Sequence, residues 1–184
     1  MSRSAERRLQ SGCLVASLLS AVFFIPAQAQ LKPGSVGLTV DLATGFQGPS
    51  EIRTLAGPLH AGLAYSLNEK TSVRATIGFR THADTSGNSE SEFSVGGDLW
   101  YYLTHADQMS TFAGGGFAFG SASQPSGATT SMIALRGFFG AEYWFSQRFA
   151  WHVHTGLDVV LSSQSGKSSS DLFLAASTGL TWYL

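Results

Sequence analysis

The final stretch of the chain, 171–184, alternates between apolar and small or polar side chains. Alternate positions carry Leu172, Leu174, Leu180, Trp182 and Leu184, and the positions between them are mostly small or polar. Because successive side chains of a strand point to opposite faces, this period predicts a β-strand with one apolar face. Both edges of such a strand need partners. We therefore expect the last strand to close a barrel by pairing with the first one.

The same period of two recurs in seven earlier segments, so the sequence predicts eight strands. The predicted strands span 34–44, 57–67, 71–80, 92–103, 109–120, 131–145, 149–161 and 171–184. In the fifth segment the glycine run 114–116 blurs the alternation, and we expect a β-bulge there. The fold class is all-β: an eight-stranded antiparallel up-and-down barrel, or meander.

The connections between these strands alternate in length. The short ones are 68–70, 104–108 and 146–148, and the longer polar ones are 45–56, 81–91, 121–130 and 162–170. Transmembrane barrels have an even number of antiparallel strands, short periplasmic turns and long outer loops. We therefore expect a transmembrane barrel with both termini on the short-turn, periplasmic side.

Charge decides which face of the strands points outward. Charged residues make up only 12% of the chain, whereas a soluble surface carries roughly 25–35%. A soluble, lipocalin-like barrel would have to hold the apolar face inside, and an eight-stranded interior is too narrow for it. We therefore expect the apolar face to contact lipid and the charged positions to face the lumen. The predicted lumen ion network comprises Asp41, Arg74, Asp98, Arg136, Glu142, His152, His154 and Asp158.

A three-residue turn at 146–148 would place Phe145 opposite Phe149 and set the register of that hairpin. The same register predicts two contacts in the lumen, Arg136 with Asp158 and Glu142 with His152. A metal site of His152 and His154 with Asp158 or Glu142 is an alternative, but zinc sites need three or four ligands. We assign no metal, no cofactor and no catalytic residue.

The aromatic residues with polar edges lie near the short turns or the C-terminus. Trp and Tyr collect at membrane interfaces because their rings are apolar and their polar edges contact water. Trp100 and Trp144 also lie close to these short turns in the sequence. The predicted periplasmic aromatic girdle comprises Tyr65, Tyr101, Tyr143, Trp151 and Trp182.

The N-terminal segment has the pattern of a secretory signal peptide. Basic residues precede an apolar run at 13–25, and Ala27 and Ala29 fit the cleavage rule. We therefore predict a cleaved signal over 1–29 and a barrel domain over 30–184. The only cysteine, Cys13, lies in the signal, so we expect no disulfide in the exported protein.

Two parts of the sequence resemble a known family. The segment 140–145 leading into 149–151, and the C-terminal alternation of Leu180, Trp182 and Leu184, resemble the small eight-stranded outer-membrane β-barrels of Gram-negative bacteria, the OmpA/OmpX-like group. The resemblance implies an outer-membrane location. It also implies that the C-terminal residues are the signal for the barrel assembly machinery, although that signal usually ends in Phe rather than Leu. The resemblance further implies that the protein is a monomer and that its partners are outer-membrane lipid and lipopolysaccharide.

We expect a non-enzymatic integral outer-membrane protein with a structural or surface-interaction role. One alternative is a lipid A-modifying enzyme, with His82, Asp84 and Ser86 in the second outer loop as candidate residues. Another is a narrow pore, because lumen-facing glycines leave room, although general solute porins have more strands. A secreted adhesin is disfavoured by the regular alternation of short and long connections. The sequence has no stripe of basic residues, so it gives no indication of nucleic-acid binding.

Overall fold

In a computed structural model of the chain, the structure describes residues 31–45, 59–83, 89–123, 127–164 and 166–184. The predicted signal peptide lies outside these described residues. Each strand pairs antiparallel with its sequence neighbours, and β8 pairs with β1, so the predicted eight-stranded up-and-down barrel is confirmed. Among the described residues, no helix is long and apolar enough to cross a membrane. The strands are β1 (Val36–Gly45), β2 (Leu59–Asn68), β3 (Thr71–Ala83), β4 (Ser89–Ala106), β5 (Met109–Ser123), β6 (Thr129–Ser146), β7 (Phe149–Gln164) and β8 (Lys167–Tyr183).

The C-terminal strand closes the barrel as the alternation predicts. Trp182 lies opposite Leu38 of β1, and Leu180 lies opposite both Val40 of β1 and Trp151 of β7. Closure gives every strand a hydrogen-bonded partner on each side. A barrel without free edges leaves no row of unpaired backbone groups, which is what a hydrocarbon environment requires.

The apolar face of each strand points outward. Phe79 and Phe139 expose 66% and 65% of their surface, while Trp100 and Glu142 on the opposite parity expose 1% and 0%. The side-chain phase predicted from the sequence is therefore confirmed for the strand residues whose burial the structure describes. The opposite parity carries the charged residues as well as several aromatic rings, and these side chains fill the interior of the ring, which in an eight-stranded barrel is just wide enough for them.

The short turns are tighter than the sequence suggests. They consist of 69–70, 107–108 and 147–148, and a register shift lies in the strand that enters each of them. The predicted three-residue turn is wrong, because Ser146 pairs with Phe149 and Phe145 lies at a β-bulge. The bulge adds one residue to β6. The register beyond it is therefore the predicted one, with Arg136 opposite Asp158.

The glycine run 114–116 carries no bulge, so that expectation is wrong. Pairing continues without a shift from Ser91–Ser123 through this region to the bulge near the turn, and β5 pairs regularly with β6. The glycines alternate with the pleat instead, and those at 114 and 116 face the lumen. Their role is to leave space for neighbouring side chains, as described below.

The strands extend further at the long-loop end than predicted. The predicted loop 162–170 is a hairpin, in which β7 ends at Gln164 and β8 begins at Lys167. The hydroxyls of Ser162 and Ser169 lie 2.7 Å apart across it. The loop-like composition of this serine-rich segment alone therefore places the strand boundaries too early.

Candidate functional site: the barrel lumen

Arg74 lies at the centre of a buried hydrogen-bond network. Its guanidinium donates to Glu142 Oε1 at 3.0 Å and to Thr181 Oγ1 at 3.2 Å. The second oxygen of Glu142 accepts from the Tyr102 hydroxyl at 2.9 Å. The side chains of Arg74 and Glu142 are 1% and 0% exposed. This ion pair is therefore fully withdrawn from solvent, and its stability depends on these specific partners.

His152 connects Arg74 with a second carboxylate. Its Nδ1 lies 3.4 Å from Arg74 Nη1, and its Nε2 lies 2.6 Å from Asp41 Oδ1. Because a guanidinium nitrogen can only donate, Nδ1 accepts and Nε2 carries the proton that Asp41 accepts. Thr39 and Thr181 form a second path between the same two ends, since Thr181 donates to Thr39 and Thr39 donates to Asp41. Arg74 and Asp41 are thus joined by two relays.

A stack of rings covers the other side of Arg74. The guanidinium carbon lies 3.4 Å from the centroid of Trp100. Trp100 in turn stacks on Phe112 with centroids 3.8 Å apart. A desolvated cation over Trp is a favourable arrangement. The positive charge is therefore held by carboxylates on one side and by an aromatic face on the other.

Lumen-facing glycines allow side chains to meet across an intervening strand. Gly179 of β8 lies between His152 and Asp41 in the register, and a Cβ there would lie 2.7 Å from His152 Nε2. Gly116 of β5 lies in the same way between Asp98 and Arg136, and a Cβ there would collide with the Asp98 carboxylate. These glycines are required because a side chain would occupy the space in which the charged groups approach each other.

Other lumen glycines make room for rings. At Gly140 a Cβ would lie 2.6 Å from the Cβ of His154 and 2.7 Å from Phe112. At Gly114 it would collide with the ring of Phe138. The space that the sequence offered for a narrow pore is thus occupied by neighbouring side chains in this part of the lumen.

An aromatic cluster fills the short-turn end of the lumen. Trp144 stacks on Tyr183 with centroids 4.9 Å apart, and Leu31, just before β1, is buried in the same cluster. Three aromatic residues of the cluster, Tyr102, Trp144 and Tyr183, are held through their backbone. The N–H group of each donates to the carbonyl of the last residue of a neighbouring short turn. The three bonds are Tyr102 to Lys70, Trp144 to Gln108 and Tyr183 to Arg148.

A smaller apolar cluster lies toward the long-loop end. It consists of Ala118, Met132, Ala134 and Val160, with Phe173 packed against it. Apolar residues therefore lie on both sides of the charged network along the lumen. This placement shields the Arg74–Glu142 pair from water and strengthens its electrostatic interaction.

The structure brings together most of the predicted network residues but changes their partners. Arg136 lies opposite Asp158 in the register, as predicted, but its salt bridge within 4 Å is with Asp98, at 3.8 Å across Gly116. Glu142 lies opposite His152, as predicted, yet Glu142 binds Arg74 while His152 binds Asp41. The register is confirmed, but the expected direct contacts of these two pairs are replaced. Arg136 and His152 each bind a carboxylate on the next strand but one, and Glu142 binds Arg74 across the lumen.

The sequence reasoning missed the neutral members of the network. Tyr102, Thr181, Thr39 and Trp100 all contact Arg74, its bound carboxylates or the relay between them. Their positions in the period-two alternation were the available signal, because each of them lies on the same strand face as the predicted charged residues. Trp100 and Trp144, grouped with the girdle by height, are 1% and 2% exposed and face the lumen.

His154 lies beside the network rather than in it. Its ring packs against Phe138 with centroids 4.9 Å apart and against Trp100 at 5.6 Å. Both ring nitrogens of His152 are already engaged by Arg74 and Asp41, so that histidine offers no free nitrogen to a metal. Within the described part of the chain, no group of three or more His, Cys, Asp or Glu could hold a metal ion.

The predicted girdle residues lie on the outer surface near the short turns. Tyr65, Tyr101, Trp151 and Trp182 are exposed, and Tyr143 is half-buried. Trp151 Nε1 donates to Thr178 Oγ1 at 2.7 Å, and the Tyr143 hydroxyl donates to Gln108 at 2.7 Å. Their role at a membrane interface stays a prediction.

The residues of the predicted assembly signal also point outward. Leu180, Trp182 and Leu184 are all exposed. The backbone N–H of Leu184 donates to the carbonyl of Val36 at 2.9 Å, so the closing ladder reaches the last residue. For the enzyme alternative, Asp84 and Ser86 lie outside the described residues, and His82 is described only by its place in β3, opposite Glu90 of β4.

The geometry defines a class of protein: an eight-stranded antiparallel barrel with an apolar outer surface and a charged, side-chain-filled lumen. Comparison with solved structures finds chains of similar fold. The N-terminal β-barrel domain of Pseudomonas aeruginosa OprF is 14% identical, with 84% of this chain and 100% of that chain covered and a TM-score of 0.49. Neisserial surface protein A is 14% identical, with 80% and 94% covered and a TM-score of 0.48.

Ail, the attachment invasion locus protein of Yersinia pestis, is 10% identical, with 82% and 98% covered and a TM-score of 0.46. No protein-family model and no curated protein matches the chain.

Proposed function

We propose that this protein is a non-enzymatic integral outer-membrane β-barrel with a structural or surface-interaction role. The observation that carries the proposal is the outer surface, which is apolar on every strand while the charged strand residues of described burial face the lumen. Phe79, Phe117 and Phe139 are each 60–66% exposed. With roughly 150–250 Å² per ring, these three alone expose about as much apolar area as the largest patch on a typical soluble monomer, roughly 300–600 Å².

The height of the apolar surface fits a bilayer. On β6 the outward positions run from Tyr143 to Ile133 before Ser131 ends the apolar series. At about 3.4 Å per residue this stretch spans roughly 34 Å along the strand. At a strand tilt of about 40° its height is roughly 26 Å, against an apolar band of about 25 Å in outer-membrane barrels.

The lumen supports a structural rather than a catalytic role. Arg74, Glu142 and His152 are buried, and both Nη nitrogens of the guanidinium, both carboxylate oxygens and both imidazole nitrogens already have partners within the protein. A catalytic acid, base or nucleophile must instead reach a substrate. The contacts of the protein with its surroundings therefore fall to the outer wall and to the loops.

Cell fractionation followed by gel electrophoresis with and without boiling tests the proposal. Because folded outer-membrane barrels resist SDS at room temperature, we expect the protein in the outer-membrane fraction, with different mobility before and after boiling. Recovery from the soluble periplasm with one unchanged mobility would contradict the outward orientation of the apolar face.

Two alternatives have separate tests. A narrow pore predicts ion conductance in planar bilayers, and we expect none from the wild-type barrel because side chains occupy the spaces beside Gly114, Gly140 and Gly179. A lipid A-modifying enzyme predicts an altered lipid A mass spectrum on overexpression. We expect that spectrum to stay unchanged, and a new lipid A species would overturn the non-enzymatic assignment.

A further inference from the structure

The guanidinium of Arg74 has one hydrogen-bond donor that the buried network does not use. Its Nη1 donates to His152 and Thr181, and its Nη2 donates to Glu142. Among the residues that the structure describes, no group accepts from the buried Nε. A buried donor without an acceptor lowers stability, because it has given up its hydrogen bond to water and gained none in return. The Nε group therefore requires a partner from outside the chain.

Three further buried polar atoms without a partner among the described residues lie beside this donor. They are Trp100 Nε1 and the hydroxyl oxygens of Ser66 and Ser72, and none of these residues is more than 1% exposed. Ser66 lies opposite Ser72, and Ser72 lies opposite Trp100, so the three form one lumen-facing row across β2, β3 and β4. Arg74 is the next lumen-facing residue of β3, and its Cζ lies 3.4 Å from the centroid of the Trp100 ring. The four atoms therefore share one sector of the lumen.

This sector is lined by short side chains and is closed at both ends. Ser66 and Ser72 are joined there by Ala64, which lies opposite Arg74 in the register. Leu31 and the aromatic cluster cover the sector at the short-turn end. The charged network around Arg74 covers it toward the long-loop end. A small molecule held in this sector is therefore separated from bulk solvent.

The donors and charges of the sector determine which small molecule fits. The guanidinium Nε and the indole Nε1 can only donate, so they exclude a cation. An anion is disfavoured because two carboxylates, those of Glu142 and Asp41, already belong to the network of the single guanidinium. The serine hydroxyls both donate and accept. A small neutral molecule that accepts from the two N–H groups and donates to a hydroxyl satisfies these atoms, and water has this chemistry.

We propose that this sector of the lumen is a binding site for ordered water, held by Arg74 Nε and Trp100 Nε1 as donors and by the hydroxyls of Ser66 and Ser72. A buried water typically makes about three hydrogen bonds, and the four atoms supply that number. The bound water extends the network from Arg74 to the serine row of β2 and β3. The site lies inside the wall, so it requires the closed barrel but no particular role of the outer surface.

Nuclear magnetic resonance of the folded barrel with nitrogen-15-labelled tryptophan tests this site. The nuclear Overhauser effect between water and the Trp100 indole proton is measured in the laboratory frame and in the rotating frame. A water molecule held for longer than the tumbling time of the particle gives effects of opposite sign in the two frames, whereas chemical exchange with solvent gives effects of the same sign. We expect opposite signs at Trp100.

The variant Ser72→Thr separates bound water from the serine hydroxyls themselves. It keeps the hydroxyl and adds a methyl group within the sector, so it should displace water and reduce the Trp100 signal to less than half. Ser94→Thr is the matched control, because it makes the same change at another buried lumen serine, 3% exposed and opposite Gly78. The control should leave the signal unchanged. Gel mobility establishes that each variant is folded, and Ser66→Thr replaces Ser72→Thr if the latter does not fold.

Three results would overturn the water site. The first is a wild type without effects of opposite sign at Trp100. The second is an undiminished signal in folded Ser72→Thr, which would assign the signal to exchanging hydroxyl protons. The third is a shift of the Trp100 indole resonance when bromide replaces chloride at constant ionic strength, which would identify an anion. None of these results would alter the proposed function, which depends on the outer surface and is tested by cell fractionation.

Discussion

Glu142→Gln is the substitution that most sharply tests the buried network. Glutamine keeps the size of the side chain and one acceptor oxygen but removes the charge that faces Arg74 at 3.0 Å. It also brings an NH₂ group toward either the guanidinium or the Tyr102 hydroxyl, both of which donate to Glu142. A buried cation then loses its direct counter-ion.

The size of the effect follows from the separation and the burial. Two unit charges 3.0 Å apart attract by about 5.5 kcal/mol at an effective dielectric constant near 20. Removing one partner of a buried pair typically destabilises a protein by about 3–5 kcal/mol. Because the remaining oxygen of glutamine still accepts a hydrogen bond, we expect a loss of about 3 kcal/mol.

Urea unfolding in phospholipid vesicles, followed by gel mobility, measures this loss. With a urea dependence of roughly 1–3 kcal/mol per molar, the midpoint should fall by at least about 1 M. Glu69→Gln in the exposed β2–β3 turn makes the same chemical change in solvent and should change the free energy of unfolding by no more than about 0.5 kcal/mol.

A double-mutant cycle with Arg74→Met separates the pair from its surroundings. Once Arg74 is absent, Glu142→Gln should be much less harmful, with a coupling free energy of at least about 2 kcal/mol. Equal effects of Glu142→Gln and Glu69→Gln, or strictly additive losses in the cycle, would refute the assignment of Glu142 as the counter-ion of Arg74.

Three further substitutions test other parts of the lumen and wall in the same unfolding assay. Gly179→Ala should destabilise by about 1–3 kcal/mol, as overpacking does, because its methyl group would enter the imidazole–carboxylate contact. Gly137→Ala is its matched control on the outer wall, where a Cβ would meet no atom within 4 Å, and it should leave the free energy of unfolding unchanged. Equal losses at both sites would contradict the role of Gly179 in leaving space for the contact. Arg136→Met should lower the free energy of unfolding by at most about 1 kcal/mol, because Arg136 is 23% exposed and 3.8 Å from Asp98. A loss as large as that of Arg74→Met would contradict the conclusion that the Arg74 ion pair contributes more stability than the Arg136 pair.

The barrel was readable from the sequence because its main signals are local. Alternation fixes which side chains share a face, and in the hairpin of β6 and β7 it also fixed the register that places Arg136 opposite Asp158. The turn itself was less readable. A two-residue turn with a bulge and a three-residue turn without one give the same register further along, so the sequence could not distinguish them.

The sequence could predict which charged residues belong to the lumen network but not which of them contact each other. Arg74 meets Glu142 and His152 only because the ring closes, which brings β3 opposite β6 and β7 across the lumen. His152 reaches Asp41 past β8 because Gly179 has no side chain. Such contacts depend on barrel curvature and on the smallest residue of an intervening strand, and neither is a property of one segment.

Tryptophan quenching by bromine-labelled phospholipids measures directly which side of the wall contacts lipid. Variants that retain one tryptophan each, with the others replaced by Phe, are folded into labelled vesicles and checked by gel mobility. We predict strong quenching of Trp151 and Trp182, which are 41% and 53% exposed, and little quenching of the buried Trp100 and Trp144. Strong quenching of Trp100 and Trp144 with unquenched Trp151 and Trp182 would contradict a barrel whose apolar face contacts the membrane.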